Sequence, residues 1–198
     1  MKTQSSELGS ETSESQMPDR RLETLDDIPR EIAKRRLHAE YSNSIAPEKF
    51  EKLREVPDLL EKPDDFVESA REAGIKSTEG ILGYSTHLED PAHVLKADVG
   101  QEIATLIHED LHRMTHPETL REVHANESLR DLYEGVTEHF TIRAADGLHG
   151  FKAGECYPEQ VGAADKLSTE VGDEALRDWF FKHELTEELR LALDRLAT

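Results

Sequence analysis

Along most of this chain apolar residues recur at the three-to-four-residue spacing of helices, and they alternate at strand spacing in one short stretch only. That stretch, "GILGYSTHLEDPAHVLKAD" (residues 80–98), has β-branched and aromatic residues on either side of an acidic Glu-Asp-Pro turn. It predicts a β-hairpin, roughly 81–88 paired with 92–97. Ahead of it, "DDIPREIAKRRLHAEYSN", "APEKFEKLREV" and "PDDFVESAREAG" read as three helices with proline in or near the first turn, the last closing on Gly74. Behind it, four helices are predicted at about 98–115, 127–144, 158–171 and 173–196, the last broken near Glu184–Thr186. The expected fold is α+β and mostly helical, a single domain over 26–198. It divides into a helical N-terminal part (26–78), a core (80–145) and a helical C-terminal part (146–198). Residues 1–25 are polar, rich in Ser, Glu and Thr, and have too little to bury; a disordered tail is expected there.

Charge and cysteine content narrow the function. The 198 residues hold 24 Lys and Arg against 43 Asp and Glu, a net charge of −19. A surface of that sign repels phosphate backbones, so no nucleic-acid partner is expected. Residues 1–30 contain four basic and seven acidic residues, so most of the excess lies in the predicted domain. The single cysteine, Cys156, excludes a disulfide within the chain and a cysteine-based zinc cluster. No apolar run is long enough to span a membrane. The N-terminus lacks the apolar segment of a secretory signal, so the expected location is cytoplasmic, or outside the cell by a route without a classical signal peptide.

The chemistry concentrates in "IATLIHEDLHRMTH", residues 103–116. Val99, Ile103, Leu106, Ile107, Leu111 and Met114 form the expected apolar stripe. His108 and His112, four apart, stand one above the other on one helix face. Glu109 is turned about 100° from His108, within reach of a ligand held by the two rings. This is the HExxH arrangement, in which two imidazoles hold Zn²⁺ and a glutamate serves as general base. The plain alternative is two solvent-facing histidines on an acidic helix.

A catalytic zinc needs a third protein ligand. Cys156, His116 and His124 are candidates, but Glu134 in "LYEGVTEHFT" is stronger. A mid-helix glycine costs about 1 kcal/mol relative to alanine, so Gly135 needs a packing reason, and close approach to the helix sharing the metal would be one. Glu138, one turn on, is suited to hold the outer nitrogen of His108 or His112. The reverse assignment, Glu138 as ligand and Glu134 outside, stays open. Trp179, Phe180 and Phe181 read as helix core rather than a substrate pocket.

"LIHEDLHRM" and "LYEGVTEHFT", with 21 residues between His112 and Glu134, resemble the gluzincin zinc metallopeptidases, the HExxH…E clan that includes thermolysin. The likeness covers roughly residues 92–145. It implies a minimal zincin-like domain, Zn²⁺ bound by His108, His112 and Glu134, Glu109 as general base, and a peptide or protein substrate lying along an edge strand at 92–97. Two positions depart from the pattern. Tyr133 precedes the glutamate where many relatives have asparagine, and no motif marks the residue that would stabilise the oxyanion. Tyr157, in "ECYPEQV", is the candidate, with His149 in "DGLHGF" as its rival. The implied activity is zinc-dependent peptide-bond hydrolysis. The competing expectation is a metal-binding module without proteolytic activity, of an interaction or toxin type.

Overall fold

The computed structural model describes residues 25, 27–86, 88–151 and 157–196. The expected polar tail lies outside the described residues save for Leu25, and Cys156 lies outside them too. The described chain is mostly helical with one small sheet. In order it runs α1 (Asp27–Tyr41), α2 (Pro47–Glu55), β1 (Leu59–Glu61), α3 (Pro63–Glu72), β2 (Gly83–Tyr84), β3 (His93–Leu95), α4 (Val99–Met114), α5 (Pro117–Ala125), α6 (Glu127–Ala144), α7 (Pro158–Val171), α8 (Asp173–Lys182) and α9 (Glu187–Leu196).

Two of these elements escape the sequence pattern. Helix α5 is nine residues long, with Pro117 in its first turn and only Thr119 and Val123 buried. So short an apolar stripe gives little periodicity, and His116-Pro117 reads as the end of a helix rather than the start of another. Strand β1 is three residues long and owes its existence to a distant partner, since it pairs in parallel with β3 (Leu60 opposite Val94). The hairpin forms as β2 against β3, antiparallel, with Gly83 opposite Val94 and Tyr84 opposite His93, and is shorter than the alternation suggested. Sheet order is β1-β3-β2.

That order corrects one expectation. Strand 92–97 is not an edge: β3 is the middle strand, hydrogen-bonded on both sides, and has no free backbone groups to offer an extended peptide. The edge beside the HExxH helix is β2.

Helix α4 runs through the centre and is buried on almost every side, packed between α1, α6 and the sheet. Ile103, Leu106, Ile107, Leu111 and Met114 are in the core, whereas Val99 is 57 % exposed at the helix start and stands outside the stripe expected of it. Because its polar face is buried as well, each polar group there needs a partner. Arg113 Nη1 meets Asp58 Oδ1 at 2.6 Å and Asp110 Oδ1 at 2.8 Å, and Lys34 Nζ meets Asp58 Oδ2 at 3.0 Å. These four buried charges tie α4 to α1 and to the turn leading into β1. Burial, and next the neighbouring Asp58, push the Asp110 carboxyl up to about 7 against the pull of Lys34 and Arg113.

The far side of the core is aromatic. Tyr41, Phe140, Phe180 and Phe181 pack at ring separations of 4.9 to 5.9 Å, and the Tyr41 hydroxyl donates to the carbonyl of Phe140 at 2.7 Å. Trp179, Phe180 and Phe181 are buried there, as core rather than pocket. Among the described residues no helix is long and apolar enough to cross a membrane.

Candidate metal centre

Helices α4 and α6 cross so that His108, His112 and Glu134 converge. His108 Nε2 and His112 Nε2 are 3.0 Å apart, and Glu134 Oε2 lies 3.6 Å from the first and 3.4 Å from the second. Among the described residues this is the one group of three His, Cys, Asp or Glu side chains whose ligand atoms come together closely enough for a metal ion.

The hydrogen bonds behind the rings decide what those atoms are. His108 Nδ1 lies 3.1 Å from Glu138 Oε2, and a carboxylate can only accept, so this nitrogen carries a proton and Nε2 is the atom turned to the centre. His112 Nδ1 lies 2.8 Å from the Tyr133 hydroxyl. With Glu134 Oε2 as the third atom, the centre gathers three atoms that would face one another as bare acceptors in the absence of a proton or a cation. Such an arrangement is repulsive unless something positive sits in it.

A tetrahedral zinc with bonds of about 2.0–2.2 Å to nitrogen and oxygen sets its neighbouring ligand atoms about 3.3 Å apart. The observed separations of 3.0, 3.4 and 3.6 Å bracket that value. Two imidazoles and one carboxylate are also a donor set that suits zinc. The residues present therefore fit the ion.

The electrostatics carry the same demand for positive charge. Burial disfavours charge on His108, yet hydrogen bonds to Glu134 and Glu138, with the charges of Glu109 and Glu134, outweigh it and push the imidazole up to about 10. Burial works to raise Glu134, but His112 and His108 outweigh it and hold this carboxyl far below the usual range. The pH dependence of the metal-free protein follows. A raised histidine contributes its stability fully below 6.5 and loses it as pH climbs to about 10; a depressed carboxylate contributes above about 4.5 and loses it in acid. The melting temperature of metal-free protein should therefore peak between about pH 4.5 and 6.5 and decline toward pH 10. Saturating zinc should flatten the alkaline limb, because the ion takes the place of the proton. Thermal melts across pH, with and without zinc, check this.

Glu109 is buried on the same helix, and among the described residues no hydrogen bond ties its carboxylate down. Edge strand β2 lies almost against it. A Cβ on Gly83 would fall 2.7 Å from Thr105 Cγ2 and 3.0 Å from both Glu109 Cγ and Oε1, so only glycine lets the strand come this near. A cavity of about 410 Å³ opens beside these groups. Its wall includes Gly80–Gly83, Ala104, Thr105, His108, Glu109, Phe151 and Tyr157.

The other candidates fall in different places. Tyr157 borders the cavity, its ring 6.1 Å from that of His108 and nearly parallel to it (13°). Its backbone is left-handed, φ 54°, an uncommon conformation for tyrosine. His149 is exposed, its carbonyl packs on Gly100 at the start of α4, and it does not line the cavity. His116 caps α5, its Nδ1 accepting from the Glu118 amide at 3.2 Å, and His124 is exposed on α5. Neither reaches the centre. Gly135 has its packing reason, but a different one from that expected. A Cβ there would lie 2.2 Å from the Gln160 carbonyl oxygen, so the glycine admits α7, not α4.

No family model, no curated protein and no solved structure matches this chain.

Proposed function

We propose that this protein is a zinc-dependent metallopeptidase. The observation that carries the reading is the convergence of three potential ligand atoms, at 3.0–3.6 Å, beside an untethered buried glutamate and an open cavity. The zincin-like arrangement is supported by the HExxH helix crossing a glutamate helix next to a small sheet with a free edge.

Bound by His108, His112 and Glu134, zinc would acidify a water and polarise the scissile carbonyl. Glu109 is then the base that takes the proton from the attacking water and returns it to the leaving amine. The outer edge of β2 and the preceding Gly80–Leu82 form the wall along which an extended peptide would lie, its backbone pairing with theirs. Tyr157 stands over His108, where its phenol would donate to the developing oxyanion of the substrate.

The test is digestion of a peptide library by the purified chain, with and without a chelator and with zinc restored. The expected result is cleavage that the chelator abolishes and zinc rescues. Zinc binding without any cleavage would instead establish the binding-module reading, and cleavage indifferent to chelation would refute both.

A further inference from the structure

We infer that Tyr133 and Thr115 form a polarised hydroxyl relay that fixes His112 as a metal ligand, which makes both of them positioning residues. The inference rests on the metal reading of the centre and assigns a role to residues outside the ligand set.

Thr115 ends α4. Its amide turns back to the His112 carbonyl at 3.2 Å, and its hydroxyl donates to the Leu111 carbonyl at 3.1 Å, at the helix end where carbonyls lack intrahelical donors. A carbonyl only accepts, so the single Thr115 hydroxyl proton is committed to it. The Tyr133 hydroxyl is 2.9 Å from Thr115 Oγ1 and 2.8 Å from His112 Nδ1. With no proton left on Thr115 to give, Tyr133 must donate to Thr115. Its oxygen then accepts, and the proton it accepts belongs to His112 Nδ1. One direction alone satisfies all three contacts: His112 Nδ1–H to Tyr133, Tyr133 to Thr115, Thr115 to Leu111. The consequence is a lone pair on His112 Nε2, aimed at His108 Nε2 and Glu134 Oε2.

Tyr133 and Thr115 are both buried, so water does not substitute for either contact. The Tyr133 ring is also held from behind, stacked on Phe180 at 5.3 Å. The relay explains why a tyrosine precedes Glu134: the same turn of α6 that supplies a carboxylate to the centre supplies the group that orients the second imidazole.

The relay makes a prediction that simple packing does not. Valine at 115 keeps the shape of threonine but removes the acceptor of the Tyr133 proton. Tyr133 is then free to donate to His112 Nδ1, which moves the histidine proton to Nε2 and blocks the ligand position. The experiment compares wild type, Thr115→Val, Thr115→Ser and Tyr133→Phe by two readouts. The first is imidazole ¹⁵N chemical shifts of His112 in metal-free protein, which report the tautomer directly. The second is zinc affinity by competition with a chromophoric chelator. The expected result is an Nδ1–H tautomer in wild type and Thr115→Ser, and a shift toward Nε2–H in Thr115→Val. Zinc affinity should fall about 10–100-fold in Tyr133→Phe and Thr115→Val and stay near wild type in Thr115→Ser. An Nε2–H tautomer in wild type, or a tautomer unchanged by Thr115→Val, would overturn the relay. Should wild type fail to bind zinc, the metal reading falls, and the tautomer measurement still decides the relay.

Discussion

Glu109→Gln should bind zinc as tightly as wild type and hydrolyse peptides about 10²–10⁴-fold more slowly, the usual worth of a positioned general base. Glutamine matches glutamate in volume, which matters at a site 6 % exposed and in close contact with β2. It accepts and donates hydrogen bonds but does not take up a proton at neutral pH, so the base function alone is removed. The ligand atoms of His108, His112 and Glu134 are untouched. Steady-state rates on a peptide identified by the library digest, paired with zinc stoichiometry on the same preparation, give the answer. Wild-type rates in a zinc-loaded variant would show that Glu109 is not the base.

Glu134→Ala removes a ligand rather than the base, and the loss should appear in binding. Zinc affinity should drop more than about 100-fold, beyond the range typical of an outer partner. Activity should vanish with it at limiting metal. Glu138→Ala is the informative comparison. Its carboxylate reaches His108 Nδ1 and not the centre, so its loss should cost about 10–100-fold in zinc affinity. Equal losses in the two variants, or a larger loss for Glu138→Ala, would reinstate the reversed assignment of the two glutamates. Chelator competition on the three proteins measures all of this.

Long periodic elements were legible from the residues, because burial of one face imposes a spacing that survives without knowledge of the neighbours. Helices α6 and α7 and the break between α8 and α9 fall where the pattern put them. Elements created by distant pairing were not. β1 is three residues with Leu59 half out in solvent, and nothing local distinguishes it from a loop until β3 arrives beside it. The same limitation produced the edge-strand error: alternation in 92–97 shows a strand, but the number of its neighbours is set by residues 59–61.

The centre divides along the same line. His108 and His112 share a helix, so their juxtaposition follows from a spacing of four. Their meeting with Glu134 depends on the crossing of two helices, and the residues hinted at it through the neighbouring glycine and the likeness to the HExxH…E pattern. The glycine hint was right in kind and wrong in object, since Gly135 makes room for the Gln160 backbone. Thr115 carried no signal at all. It is a helix-ending threonine by sequence, and its relevance comes from a tyrosine 18 residues away whose hydroxyl meets it at 2.9 Å.

Both the peptidase reading and the ligand roles of His108, His112 and Glu134 require a cation among their three ligand atoms. Competitive zinc titration of metal-free protein near neutral pH, on wild type and on the His108→Ala/His112→Ala double variant, measures this most directly. The account predicts one tightly bound zinc per wild-type chain and none in the double variant. Wild-type protein that takes up no zinc, or a double variant that binds it equally well, would contradict it.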